Sequence, residues 1–243
     1  MPGDNSPGSL RALAGALLDT LFPRACPACG APPQPPEPFC PQCLAQIEPA
    51  PPETCPRCGR PGPGQPCPAC RSHPPAFQQA RWLARHQGSL AQAVRDFKYR
   101  RRWVSGVELG RYLARHTPPA WLEGVELVVP VPLHRRRLMT RGFNQALVLA
   151  RSLARRHGLE LAARLLTRRR HTRPQVGLDP QERRQNVRGA FSVPPGGKPQ
   201  LQNKRVLLMD DVFTTGATAD QCAQTLMQAG ARQVSVLTLV RAG

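Results

Sequence analysis

An α/β fold, with a doubly wound parallel sheet behind a small N-terminal zinc-ribbon module, is what this sequence predicts. Three observations predict it. From about residue 77 onward, apolar strand-like runs alternate with amphipathic helical ones, the pattern of parallel strands joined by helical crossovers. The stretch Val206-Leu-Leu-Met-Asp-Asp-Val-Phe-Thr-Thr-Gly-Ala-Thr218 reads as a buried strand, a tight turn and a helix start. Eight of the nine cysteines form four Cys-x-x-Cys pairs in the front third of the chain. The expected division is residues 1–76 for an N-terminal helix and the cysteine module, and residues 77–243 for the α/β domain.

The front end begins with residues 9–22, where Leu10, Leu13, Ala14, Leu17, Leu18 and Leu21 recur at helical spacing. The apolar run is short, ends at Asp19 and has no good basic segment before it. A short amphipathic helix is expected, not a signal peptide. No segment reaches the ~20 apolar residues of a membrane span, so the expected location is the cytoplasm.

The cysteine pairs are Cys26/Cys29, Cys40/Cys43, Cys55/Cys58 and Cys67/Cys70. A bridge within such a pair would be strained, and a reducing compartment disfavours it. Each pair can instead supply two thiolates to one ion, and two pairs complete the tetrahedral four-sulfur shell that zinc prefers. Two structural zinc ions are therefore expected. Sequential grouping puts Cys26, Cys29, Cys40 and Cys43 on one and Cys55, Cys58, Cys67 and Cys70 on the other; an interleaved cross-brace is not excluded by spacing. Four catalytic dithiols in one small module would be odd. Of 29 prolines, 20 lie before residue 76, and the region has little apolar content of its own. Metal must then fold it, contributing on the order of 10–16 kcal/mol per structural zinc. The module is a platform for DNA or protein, or a brace for its neighbours. Cys222 is read as a buried small apolar residue.

In the second domain a short strand is expected at 81–87 and helices at 90–97 and 107–115. Between the helices lies Lys98-Tyr-Arg-Arg-Arg-Trp103. Bases can stack on Tyr99 or Trp103 while Arg100, Arg101 and Arg102 meet phosphates; a solvated turn with one packed Trp is the alternative. Residues 126–132 read as a buried strand. The following loop packs Arg135, Arg136, Arg137 and Arg141 beside Gly142, just past the strand's carboxyl end, where open parallel sheets bind ligands. A helix to about residue 156 follows. Further strands are expected at 163–167, 189–193, 205–209 and 233–240, with a helix at 217–228 ended by Gly230. The polar connector 172–188 is long, and such connectors are often lids. Its Arg173, Gln175, Arg183 and Asn186 are placed to close over a polyanion. Alternatively, its second half is an exposed helix capped by Asp179.

The 206–218 stretch carries the chemistry. Its turn offers backbone N–H groups and the hydroxyls of Thr214, Thr215 and Thr218 at a helix N-terminus, a ready phosphate cradle. Asp210 and Asp211 would repel phosphate in the same cradle, so they suit sugar hydroxyls beside it, or a divalent metal on a second phosphate. No Gly-Lys-Thr/Ser follows, and Gly216 stands alone, which excludes a Walker A loop and a dinucleotide fingerprint. Lys+Arg of 34 against Asp+Glu of 15 gives a net charge of +19, which favours acidic partners: nucleic acid or phosphorylated ligands. Lysine occurs only at 98, 198 and 204, an arginine skew in keeping with a GC-rich genome.

This segment resembles the signature of type I phosphoribosyltransferases, which bind phosphoribosyl pyrophosphate (PRPP). The resemblance implies that Asp210 and Asp211 contact the ribose and that Thr214, Thr215, Gly216, Ala217 and Thr218 hold the 5′-phosphate, with Mg2+ accompanying the ligand. The basic segment with Arg137, Arg141 and Gly142 would hold pyrophosphate. Together with the four Cys pairs, Val-Pro-Val-Pro-Leu133, Arg-Gly-Phe-Asn-Gln145, Thr172-Arg-Pro-Gln175, Glu182-Arg183 with Asn186, and Gly189-Ala-Phe191, the chain is identified as resembling the ComF family over residues 24–243. That resemblance implies a double zinc ribbon joined to a type I phosphoribosyltransferase domain, and a link to single-stranded DNA handled in bacterial competence. Two readings follow. In one, the protein transfers a phosphoribosyl group to an unidentified acceptor. In the other, the pocket senses PRPP or a nucleotide phosphate and the protein is a single-stranded DNA-binding factor.

Overall fold

A computed structural model describes residues 25–99, 103–173 and 177–242. The helix expected at 9–22, together with Arg100, Arg101, Arg102 and Gln175, lies outside the described residues.

Among the described residues seven strands form, at Gln79–Arg85 (β1), Leu127–Pro130 (β2), Glu160–Leu161 (β3), Thr167–Arg168 (β4), Phe191–Ser192 (β5), Arg205–Phe213 (β6) and Gln233–Arg241 (β7). Five make one sheet in the order β1-β7-β6-β2-β3, with every neighbouring pair parallel. Alternate residues of one strand enter different cores, because side chains point to opposite faces with period two. Leu207 and Met209 of β6 join Leu90, Phe97, Leu109 and Leu149. Val206 and Leu208 join Cys222, Ala223 and Leu226. The helices Gly88–Tyr99, Trp103–His116 and Gln145–His157 thus cover one face, and Ala217–Gln228 covers the other. This is the expected doubly wound arrangement.

The structure corrects four expectations. The first strand runs 79–85 rather than 81–87. The apolar run expected as a strand at 163–167 is mostly a turn. Only residues 160–161 reach the sheet, and Ala162 N donates to Val128 O at 2.9 Å. Leu165 and Leu166 are buried against the second core, so their apolarity reflects packing and not a ladder. The segments 167–168 and 191–192 form a separate antiparallel ribbon, so 189–193 is not a strand of the main sheet either. Finally, the basic loop after β2 contains a helix, Arg135–Arg141. His134 Nδ1 caps it by accepting from Arg136 N at 3.3 Å, and Gly142 ends it in the left-handed conformation at φ 83°, where a Cβ would be strained. In the connector, Asp179 caps a helix Pro180–Val187 in a reciprocal capping box with Glu182.

The cysteine module lies against the sheet. Cys26, Phe39, Cys40 and Cys43 belong to the same core as Leu83 and Tyr112, with the Phe39 and Tyr112 rings edge to face at 5.3 Å. Ala50 N donates to Leu83 O at 2.8 Å, Arg85 N to Glu48 O at 2.9 Å, and Ala80 N to Arg57 O at 2.6 Å. These bonds occupy backbone groups of β1 that an edge strand would otherwise leave open.

Candidate metal centres and candidate ligand cleft

Cys26, Cys29, Cys40 and Cys43 form one cluster, and Cys55, Cys58, Cys67 and Cys70 a second, with ligand sulfurs in each within 4.8 Å of one another. Cys29 and Cys40 Sγ atoms are 3.6 Å apart, and Cys58 and Cys67 Sγ atoms 3.7 Å. A tetrahedral ion with Zn–S bonds of about 2.3 Å requires sulfurs about 3.8 Å apart, so the clusters fit zinc. The grouping is sequential. Burial raises the Cys26 thiol, but backbone N–H groups of Cys29, Cys40 and Ala28 outweigh it and bring it down to about 7. The same balance brings Cys55 down to about 6. At these two positions the turn amides favour the thiolate a metal requires, while burial and the neighbouring sulfurs push the Cys43 and Cys70 thiols up.

The carboxyl ends of β2 and β6 open into a cleft of about 570 Å³. Strand β6 continues through the acid pair, so Asp210 and Asp211 stand within the strand and not beyond it. They still line the cleft. Asp211 N donates to Asp210 Oδ1 at 2.9 Å. Burial, then the charge of Asp211, pushes the Asp210 carboxyl up to about 7. Asp211 is buried and paired with Lys98, whose Nζ lies 3.0 Å from Oδ2.

Across the turn, Gly216 sits at φ 82° as the cap of the helix Ala217–Gln228. A Cβ there would come within 2.7 Å of the Phe213 ring. Phe213 is itself fixed edge to face on Phe77, at 6.1 Å. Thr215 Oγ1 accepts from Ala217 N at a long 3.4 Å. Thr214, Gly216 and Thr218 line the cleft. Ala76 N donates to Asp220 Oδ1 at 2.7 Å, so the linker braces the first turn of this helix.

The opposite wall is basic. Arg137 and Arg141 line the cleft; Arg137 donates to Thr172 O at 3.1 Å and Arg141 to Gln145 Oε1 at 3.2 Å. The Arg141 guanidinium also lies 5.6 Å over the Tyr99 ring. Of the expected lid residues, Arg183 lines the cleft, while Asn186 Nδ2 donates to Arg173 O at 3.0 Å. Those two therefore brace the connector. Tyr99 is 68 % exposed and Trp103 53 %; Tyr99 also lines the cleft.

Three cleft residues escaped the sequence reading. Lys98 is one of the chain's three lysines, which was a usable signal. Arg168 lies in an Arg-Arg-Arg run that reads as solvated, yet burial and the charge of Arg137 lower its pKa. Its Nε is buried without a hydrogen-bond partner among the described residues, as is Nε2 of Gln145, although Gln145 is only 2 % exposed. Both line the cleft.

Residues 17–72 match the double zinc ribbon domain family. Fold and sites thus define a double zinc ribbon protein built on a parallel-sheet α/β domain. The chain is 33 % identical over 193 residues to the DNA utilization protein YhgH of Salmonella typhimurium, covering 77 % of this chain and 83 % of that one. It is 31 % identical over 215 residues to competence protein F of Haemophilus influenzae, covering 84 % and 90 %. The chain belongs to the ComF family. It is also 30 % identical over 118 residues to competence protein ComFC of Bacillus subtilis, covering 47 % and 44 %. Among solved structures it is similar to the glutamine PRPP amidotransferase of B. subtilis complexed with ADP and GMP, with a TM-score of 0.36 and 21 % identity. That likeness covers 55 % of this chain and a quarter of the other (25 %). Among the described residues no helix is long and apolar enough to cross a membrane.

Proposed function

We propose that the cleft binds PRPP with Mg2+ and that the protein transfers its phosphoribosyl group. One observation carries this reading: a single cleft gathers the acid pair, Thr214, Gly216 and Thr218 of the turn before a helix, and Arg137, Arg141, Arg168 and Arg183. In this reading Asp210 and Asp211 accept the ribose hydroxyls. Thr214, Thr215, Gly216, Ala217 and Thr218 receive the 5′-phosphate through backbone N–H groups and hydroxyls. Arg137, Arg141 and Gly142 hold the pyrophosphate, with the charge of Arg168 behind them.

Transfer breaks the bond from the ribose anomeric carbon to pyrophosphate, the electron pair leaving with pyrophosphate, as a bond to the acceptor forms. Positive charge develops on the sugar and negative charge on the leaving group. The chain's contribution is to position both and to stabilise the leaving charge with guanidinium groups already in place. Carboxylate oxygens beside a phosphate site suit Mg2+, which would neutralise pyrophosphate charge when bound. Arg173, Gln175, Arg183 and Asn186 belong to the connector that would close over the ligand.

A second reading keeps the pocket as a sensor of PRPP or a nucleotide in a cytoplasmic single-stranded DNA-binding factor. It is favoured by Tyr99, which lines the cleft and is yet largely exposed at the start of the run Tyr99, Arg100, Arg101, Arg102 and Trp103. The names of the relatives, DNA utilization and competence, support a DNA connection in either reading. Incubation with PRPP, Mg2+ and acceptors including bases and single-stranded DNA decides between them. Acceptor-dependent pyrophosphate release supports transfer; tight binding without release supports sensing.

A further inference from the structure

Lys98 lies one residue before the end of the helix Gly88–Tyr99, on the sheet face opposite the phosphate-turn helix. That helix carries its ammonium to the carboxyl end of β6. There Nζ lies 3.0 Å from Asp211 Oδ2, with the two side chains only 20 % and 11 % exposed. A pair this sheltered is screened far less than a surface one. Lysine brings a compact point charge on a flexible stem, which can leave the carboxylate more readily than the bidentate fork of an arginine. Asp211 and Lys98 both line the cleft, so a divalent ion drawn to that carboxylate meets an ammonium already 3.0 Å from one of its oxygens.

We propose that Lys98 is the resident cation of the acid pair, which a divalent metal must displace from Asp211, so that metal enters efficiently only with a phosphate-bearing ligand that takes over the ammonium. The second half rests on the reading of the cleft as a PRPP site; the first half does not. Two positive charges cannot share one carboxylate oxygen at contact distance without strong repulsion. The rest of the local charge points the same way. Lys98 offsets the charge of Asp211 at contact distance, so the pair offers a free divalent ion little attraction. Arg137 and Arg141 share the cleft with Lys98, and Arg141 lies over the adjacent Tyr99 ring. A released ammonium therefore finds the ligand's phosphates on the wall it already shares with those arginines.

The test is a Mn2+ titration of the zinc-loaded full chain, followed by water-proton relaxation at pH 7.5 without phosphoribosyl ligand. Lys98→Met should bind Mn2+ about ten-fold more tightly than wild type, since one unit charge at contact has been removed. Lys98→Arg should stay weak, and Asp211→Asn in the Lys98→Met background should erase the gain. Lys98→Gln supplies the same comparison if the Met variant misfolds. Equal Mn2+ affinity in wild type and the neutral variant overturns the proposal. Adding PRPP should raise wild-type Mn2+ affinity by a larger factor than that of Lys98→Met; equal factors overturn the hand-off. If PRPP fails to bind wild type at any metal concentration while Lys98→Met still gains Mn2+, the lysine's role stands and the PRPP reading falls.

Discussion

Trp82 Nε1 donates a 2.7 Å hydrogen bond to the carbonyl of Gly59, and so fastens the turn of Cys55 and Cys58 to edge strand β1. Gly59 sits at φ 70°, and a Cβ there would meet Ala80 O and Trp82 Nε1 at 2.8 Å each. From the far end of β7, Arg241 donates to Cys58 O at 2.7 Å. The double zinc ribbon is therefore a brace on the sheet as well as a folded module.

The purified protein should carry two zinc ions per chain by elemental analysis. Chelation, or Cys55→Ser, should speed hydrogen exchange at β1 amides well before β6 amides respond, because β1 loses its cover while β6 keeps a strand on either side. Simultaneous exposure of both strands would mean the module supports the whole domain.

Gly216→Ala should cost about 1–2 kcal/mol, the usual penalty of a left-handed backbone for a residue with a Cβ. The crowding against Phe213 should add to it. Thermal melts measure that loss. Mg2+-PRPP affinity should fall as well, because the turn that aims its amides cannot keep its shape. Full affinity in a destabilised Gly216→Ala variant would move the phosphate elsewhere.

The Asp210 carboxyl is pushed up to about 7 from an ordinary 3.8. A raised folded-state value means the folded protein holds its proton more strongly than the unfolded chain does. The stability from that proton is fully present below about pH 4 and is lost as pH rises through about 7. Asp210→Asn should remove this dependence, so the variant should gain on wild type between pH 5 and pH 8 when melting temperatures are compared across that range. A constant offset between the two would show that Asp210 titrates normally.

Single-stranded DNA binding, if driven by phosphates, should weaken steeply with salt, each contact adding roughly 0.7 to the slope of log affinity against log salt. Replacing Arg100, Arg101 and Arg102 with Ala should flatten that slope by about two units. Trp103→Ala should cost about 1–3 kcal/mol with the slope unchanged, because stacking releases no counterions. An unaltered slope in the triple variant places DNA contact on another face.

Much of this architecture was legible in the chain. The helix expected at 217–228 forms over those residues, because its start is set by a turn and its end by Gly230. The sequential cysteine grouping was the simpler of two open choices. What could not be read was tertiary. Leu165 and Leu166 look like a strand, yet they serve as apolar plugs in a turn. The arginines after Leu133 looked like loop because nothing in their pattern announces that His134 can cap them. Lys98 and Asp211 are separated by more than a hundred residues in sequence, so no local spacing could announce their pairing. Arg168 resembles its solvated neighbours until the fold buries it beside Phe191, with the guanidinium 5.3 Å from the ring.

The central claim is that the acid pair and the turn after it hold PRPP. Calorimetry of wild type and an Asp210→Asn, Asp211→Asn double variant with Mg2+-PRPP tests it most directly. Wild type should bind saturably, and the double variant, still folded by circular dichroism, should lose charge-assisted hydrogen bonds of about 1.5–3 kcal/mol each and with them measurable binding. Unchanged affinity in the double variant, or no binding by wild type with Mg2+ present, would contradict the account.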